Sequence, residues 1–450
     1  MMKKTKLALA AAVICVAMQT MAQSDAKTGW NFGALPSVAF DADLGFQYGA
    51  LTNIYYYGDG STYPEYMHSI YAEAAYTTKK NGLFRLDFDT RALIPEHQLT
   101  IDIAYIPDAM CDFTGFNGYQ SAYNSSWCDD ESDDYISRAF YKYRRNMFRA
   151  TADIQGEMSN NFKWNIGGGL FRFDVGSVKI DKLNKGQSES KKLPKTDGLF
   201  EKYQKWGLIA DNETDGGLFP YLHAGLTFDS RNFSAAPSSG IWADAFLTYT
   251  AAWGDKSSFN NLKLNANFRH YVALGSPRLV FAYRIGAQLS IAGDTPFYMS
   301  GYHNVLQLKR VLYESLGGSS SMRGILRCRV LSRGFALANI EMRIKLAMFD
   351  IGKQHFYVAV NPLLDMGMVL QPFDIDEQQA RLATASTGDN ADDYFNFGKS
   401  DIYKPHASGG MGLKVAMNEN FIFSVDWATP FDEQDNSKKS NLYIKMGYLF

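Results

Sequence analysis

Four cysteines in 450 residues are too few to build a disulfide scaffold. Cys111 and Cys128 flank one long loop and form a candidate disulfide that would brace it in an oxidising compartment, with Cys328 left over. The excess charge is small as well: 45 basic against 47 acidic residues give a net charge of −2, so no nucleic-acid partner is expected. No apolar run after the N-terminus is long enough to cross a bilayer as a helix. Catalytic patterns are missing too. There is no G-x-S-x-G elbow, and the seven His are scattered, none at metal-ligand spacing from a Cys or carboxylate. Gly167-Gly168-Gly169 lies in a strand pattern with no helix after it, which suits a bend in a sheet rather than a phosphate loop. The acidic run Asp129–Asp134 lacks the spacing and Gly of an EF-hand loop and reads as a solvated surface, as does the Lys-rich segment Lys182–Lys195. The expectation is a protein that is not an enzyme, with no metal and no cofactor.

Aromatic residues and glycine are abundant: 27 Tyr, 31 Phe and 38 Gly. The N-terminus has the pattern of an export signal. Met1–Lys6 is basic, Leu7–Met18 is a short apolar run, and Thr20-Met21-Ala22 fits a cleavage site, so residues 1–22 are expected to be a cleaved signal peptide. Ile14 stands where a lipoprotein signal would have a small residue before Cys15, which argues against lipidation. An exported, strand-rich chain without spanning helices is secreted, periplasmic or an outer-membrane barrel.

Alternation with a period of two runs through the chain. Leu262, Leu264, Ala266 and Phe268 share one face; Lys263, Asn265, Asn267 and Arg269 share the other. Ala338, Ile340, Met342, Ile344 and Leu346 alternate with Asn339, Glu341, Arg343 and Lys345. Phe421, Phe423, Val425 and Trp427 alternate with Ser424 and Asp426. A soluble sandwich would show the same period, so the pattern alone does not decide. At the C-terminus, Leu442, Ile444, Met446, Tyr448 and Phe450 predict a last strand over 441–450 with an apolar outer face, ending on the aromatic that outer-membrane barrels present for assembly. Counting back predicts about sixteen strands, with short links such as Gly275-Ser276-Pro277 at one end. Long loops near 108–145, 173–217, 292–333 and 370–406 fall at the other end. The expected fold is all-β: a transmembrane antiparallel β-barrel over 32–450, preceded by a short segment, 23–31.

Four motifs follow one another in order and in phase. Leu316-Gly317-Gly318-Ser319-Ser320-Ser321-Met322-Arg323-Gly324-Ile325 resembles the L-G-G-x-x-x-[VL]-R-G-[FY] external loop of the BamA/TamA outer-membrane assembly superfamily, which also holds the bacterial surface antigens. The strand around Glu341 and the D-x-G of Asp365-Met366-Gly367 resemble the strands that follow it. Asp229-Ser230-Arg231-Asn232 with Pro237 and Gly240 resembles the family's periplasmic turn, and Ser424–Pro430 its penultimate strand. The resemblance implies a loop folded into the lumen, anchored by Arg323 with Met322, Gly317, Gly318 and Gly324 around it. Glu341, Asp365 and Gly367 would receive it on the inner wall, since a buried Arg needs carboxylate partners. Ile325 departs from the family's aromatic. The short segment before the first strand leaves no room for the family's POTRA domains, so a POTRA-less member is expected.

The resemblance further implies a place in the bacterial outer membrane, among its lipid and lipopolysaccharide. The implied work is insertion or translocation of proteins, or of lipids, with barrel clients and periplasmic or lipoprotein accessory subunits as partners. A structural accessory barrel and a passive pore are the alternatives.

Overall fold

The computed structural model describes residues 27–450 except 64, 302–314, 353, 399–400, 419–420 and 438. The expected signal peptide and its cleavage site near Ala22 lie outside the described residues. Sixteen strands form one closed barrel. They are β1 (Trp30–Asp41), β2 (Gly45–Tyr56), β3 (His68–Thr77), β4 (Gly82–Thr90), β5 (His97–Asp112), β6 (Lys142–Ser159), β7 (Phe162–Gly176) and β8 (Gly216–Asp229). The second half is β9 (Gly240–Thr250), β10 (Asn261–Ala273), β11 (Leu279–Gly293), β12 (Gly334–Ile351), β13 (Gln354–Gln371), β14 (His406–Met417), β15 (Phe421–Pro430) and β16 (Asn441–Met446). Each strand pairs antiparallel with its sequence neighbours, and β1 closes against β16.

The alternation is polar-in and apolar-out. On β10, Lys263, Asn265, Asn267 and Arg269 are buried in the lumen, while Leu262, Leu264, Ala266 and Phe268 are partly exposed on the outside. On β15, Asp426 and Ser424 are fully buried and Trp427 is half exposed. A soluble sandwich would put its charges in water, so this phase is that of a membrane barrel.

The long loops are less polar in structure than in sequence. Those between β5 and β6, β7 and β8, β11 and β12, and β13 and β14 share an aromatic core containing Phe113, Phe116, Phe140, Tyr203, Trp206 and Phe297. Short helices at Leu199–Lys205 and Glu377–Thr387 belong to this cap. Aromatic burial at this density braces the loops without a covalent link.

Two expectations are corrected here. Cys111 and Cys128 are both free thiols. Cys111 is fully buried within β5, opposite Tyr143 of β6, with its sulfur 4.0 Å from the Asp112 carbonyl. Cys128 ends a separate turn, Ser125–Cys128. The last strand stops at Met446 rather than Phe450. Gly447 adopts φ +84°, a left-handed conformation that breaks the pleat. The tail then turns inward, and Leu449 and Phe450 bury against Tyr271, Val280 and Ala282 in the lumen. Phe450 is therefore not on the lipid face.

Candidate functional site: the lumen anchor and the seam

The loop between β11 and β12 enters the lumen because its backbone can bend tightly. Gly317 has φ +119°, and a Cβ there would lie 1.9 Å from the Leu326 carbonyl oxygen. Gly324, at φ +89°, presses against the β15 backbone at Ala428 and Thr429. Ser321 Oγ caps the turn, accepting from the Gly317 N–H at 2.9 Å. Gly367 on β13 leaves the hollow that Met322 fills: a Cβ there would meet Met322 Sδ at 2.5 Å. Ile325 occupies its place in an apolar cluster with Leu316, Met322, Val330, Phe335, Leu337 and Val369.

Arg323 is held on three sides. Its Nε donates to Asp365 Oδ2 at 2.8 Å and its Nη2 to Asp365 Oδ1 at 3.0 Å, a bidentate pair. Nη1 donates to Glu341 Oε1 at 2.8 Å and lies 3.4 Å from Asp426 Oδ2. All four side chains are fully buried. Asn339 Nδ2 donates to Asp365 Oδ1 at 2.7 Å and to the Ser321 carbonyl at 2.8 Å. Lys414 takes the other oxygen of Asp426, and Arg343 Nε the other oxygen of Glu341 at 3.0 Å. Buried charges persist when they are paired, and here each of the carboxylates Asp365, Glu341 and Asp426 faces at least one cation.

Sequence reasoning assigned Asp365 and Glu341 to Arg323 but not Asp426, Lys414 or Asn339. The signal for these was available, since all three occupy inward phases of their strands. Two further arginines of the same loop also hold it. Arg327 pairs with Asp108 at 2.7 Å and Asp112 at 2.9 Å on β5. Arg329, fully buried, donates to the carbonyls of Gly118, Ser121 and Gln434.

The turn between β8 and β9 closes the opposite end. Arg231 grips Asp229 through two hydrogen bonds of 2.8 and 2.6 Å and stacks 4.1 Å over Trp242. Gly240, at φ +102°, lies so close that a Cβ would sit 2.3 Å from the Ser230 carbonyl oxygen. Pro237 is buried, and Ala236 packs beneath the lumen with Tyr357, Ala359, Ala416 and Ile422. The inturned tail completes this plug. Arg343 donates to the Phe450 carbonyl at 2.8 Å and lies 4.0 Å over the Tyr448 ring, whose hydroxyl meets that of Tyr357 at 3.2 Å.

The barrel closes through a short seam. β1 pairs twelve residues with β2. Against β16 it pairs only Phe40 with Ile444 and Asp41 with Tyr443. Among the described residues, Trp30–Ala39 therefore have no strand on their outer edge.

A closed sixteen-strand barrel with charged residues inside, apolar residues outside and an arginine-anchored loop in its lumen is an outer-membrane β-barrel. The chain belongs to the Omp85 superfamily, whose domain matches residues 114–450. No functionally curated protein matches it in sequence. Among solved structures it is similar to BamA from Haemophilus ducreyi lacking POTRA domains 1–3, with a TM-score of 0.56 and 14% identity over 94% of this chain and 71% of that one. It is also similar to CdiB from Escherichia coli, with a TM-score of 0.52 and 11% identity over 94% of this chain and 64% of that one. At these identities the likeness concerns the fold.

Proposed function

We propose that the protein aids insertion or translocation of proteins at the outer membrane, using the β1–β16 seam as its working edge. The observation that carries this reading is the seam itself, two residue pairs long against twelve on the other side of β1. The open edge of about ten residues reaches roughly 33 Å, about the thickness of the hydrocarbon core. Unpaired strand backbone in lipid is costly, so an incoming strand that pairs with it gains what the barrel leaves unmade. A passive pore fits less well, because the loop cap, the Arg323 anchor and the inturned tail fill the lumen. In this reading the barrel's own side chains bind and orient.

The test uses purified protein in proteoliposomes with a urea-unfolded eight-stranded outer-membrane barrel as client, reading its heat-modifiable, protease-resistant form. The wild type should accelerate folding over lipid alone. The double variant Phe40→Cys/Ile444→Cys should lose that acceleration when oxidised and regain it when reduced. An oxidised variant as active as the wild type would defeat the seam reading. A wild type without effect would favour an accessory subunit.

A further inference from the structure

The β12–β13 hairpin outgrows its neighbour. The β11–β12 register ends at Leu279 opposite Ile344, with one more bond from the Lys345 N–H to the Arg278 carbonyl at 2.8 Å. β12 nevertheless continues, paired with β13 alone, to Ile351 opposite Gln354. The outer edge of β13 is covered by β14 from Phe356 opposite Met417, with His355 and Asn418 bonded beyond it. Among the described residues, the edge of Leu346–Ile351 has no strand against it.

All six residues of this segment are exposed, including Leu346 (62%), Phe349 (42%) and Ile351 (60%). A bulge at Leu346 resets the phase. Ala347, Phe349 and Ile351 then share the outward face, where Phe349 stacks on Phe356 at 5.6 Å, and Met348 and Asp350 take the other. The turn 274–278 marks the barrel rim, and irregular backbone of that kind does not sit in lipid. The tip lies beyond it, at the short-turn, periplasmic end. A run of about 20 Å of open, apolar edge has no Pro and no Lys within it; its bulge lies at the barrel end, and its one charge, Asp350, is matched to His355 at 2.8 Å.

We infer that this edge docks an extended segment of a periplasmic partner protein, which adds to β12 as a further strand. Free backbone donors and acceptors in a row select a strand rather than a helix or a lipid. The outward Ala347, Phe349 and Ile351 ask for apolar residues at alternate positions. Arg278 at the barrel end of the notch, with Asp350 at the tip, favours an acidic residue at the barrel end of the guest. The site is separate from the seam, and its test does not involve client insertion, so either idea can fail alone.

The probe is a fluorescent synthetic peptide of alternating Val and Thr with Glu at one end, added to the full-length protein in nanodiscs. Anisotropy should show saturable binding, and amide exchange should slow across 346–351. Phe349→Asp should weaken binding at least tenfold with heat-modifiability unchanged, and Ile351→Asp serves if that variant misfolds. A backbone N-methylated peptide should not bind. Equal binding of the N-methylated peptide, or protection outside 346–351, would overturn strand addition. A dimer of the protein itself that Phe349→Asp dissolves would overturn the partner in favour of a second copy.

Discussion

The backbone N–H of Gly324 donates to the phenol oxygen of Tyr443 across 3.0 Å. This bond joins the lumen loop to β16, and Tyr443 is one of the two β16 residues that pair with β1. The loop anchor and the seam are therefore one mechanical unit. Tyr443→Phe keeps the ring and removes the acceptor, leaving a buried amide unpaired at a cost of about 1–3 kcal/mol. The expected outcome is a lower urea midpoint for the folded barrel and slower oxidation of a Phe40→Cys/Ile444→Cys pair, because β16 is held less firmly in register. Unchanged values in both measurements would show that the loop does not steady the strand.

Arg323→Glu places a fourth carboxylate among Asp365, Glu341 and Asp426. Breaking one partner out of a buried ion network costs about 3–5 kcal/mol, and charge reversal costs more. The folded, heat-modifiable band should disappear on refolding into detergent. Arg323→Lys keeps the charge but loses the bidentate fork to Asp365, and should fold with reduced yield. A normal yield from Arg323→Glu would remove the anchor from the account.

The fit of Met322 over Gly367 gives a steric test. Gly367→Val brings branched carbons into the space of Met322 Sδ and Leu316 Cδ1, which even a single Cβ would approach to 2.5 and 2.8 Å. Overpacking of this kind costs about 1–3 kcal/mol. Adding Met322→Ala should restore part of the loss in thermal midpoint. Strict additivity of the two substitutions would mean they do not share one hollow.

Asp43, in the external turn between β1 and β2, has its carboxyl pushed up to about 8 by burial, then by Asp41 and Asp112. Its folded-state value lies above the unfolded one, so the folded barrel prefers the protonated form. Its contribution to stability is full below about pH 4 and is lost as pH rises toward 8. Asp43→Asn should leave the thermal midpoint nearly unchanged near pH 4 and raise it relative to wild type near pH 9. The same offset at both ends would place the effect elsewhere.

Strand number was legible from a period of two and the Arg323–Asp365–Glu341 grouping from the resemblance carried by motifs on adjacent strands, whereas which face is polar-in was not, since a soluble sandwich shares the period. Asp426 and Lys414 were in phase but belong to strands distant from the loop in sequence, so nothing local tied them to Arg323. The aromatic cap was hidden because Phe113, Tyr203 and Phe297 come from three loops without periodicity. The last four residues misled for a different reason. Tyr448 and Phe450 continue the apolar alternation, and only the left-handed turn at Gly447 shows that the pleat has ended. The shortness of the seam is a matter of register between the two ends of the chain, and alternation carries no information about it.

The inturned tail gives the last test. Arg343 holds it by the bond to the Phe450 carbonyl and by lying 4.0 Å over Tyr448 and 5.2 Å over Phe450. Arg343 also pairs with Glu341, but Glu341 keeps Arg323 when Arg343 is lost, so the barrel wall should survive the change. In Arg343→Gln the tail loses a cation over two rings, each contact worth about 0.5–2 kcal/mol. Release of the tail frees its backbone to solvent, and amide exchange across residues 447–450 should then run about tenfold faster, which corresponds to roughly 1.4 kcal/mol of lost hold. Mass spectrometry of peptic fragments reads this directly. Arg343→Lys, which can still reach the carbonyl but stacks less well, should fall between the two. If all three proteins exchange there at one rate, the tail is retained by the apolar pocket of Tyr271, Val280 and Ala282 alone, and the arginine serves only the wall.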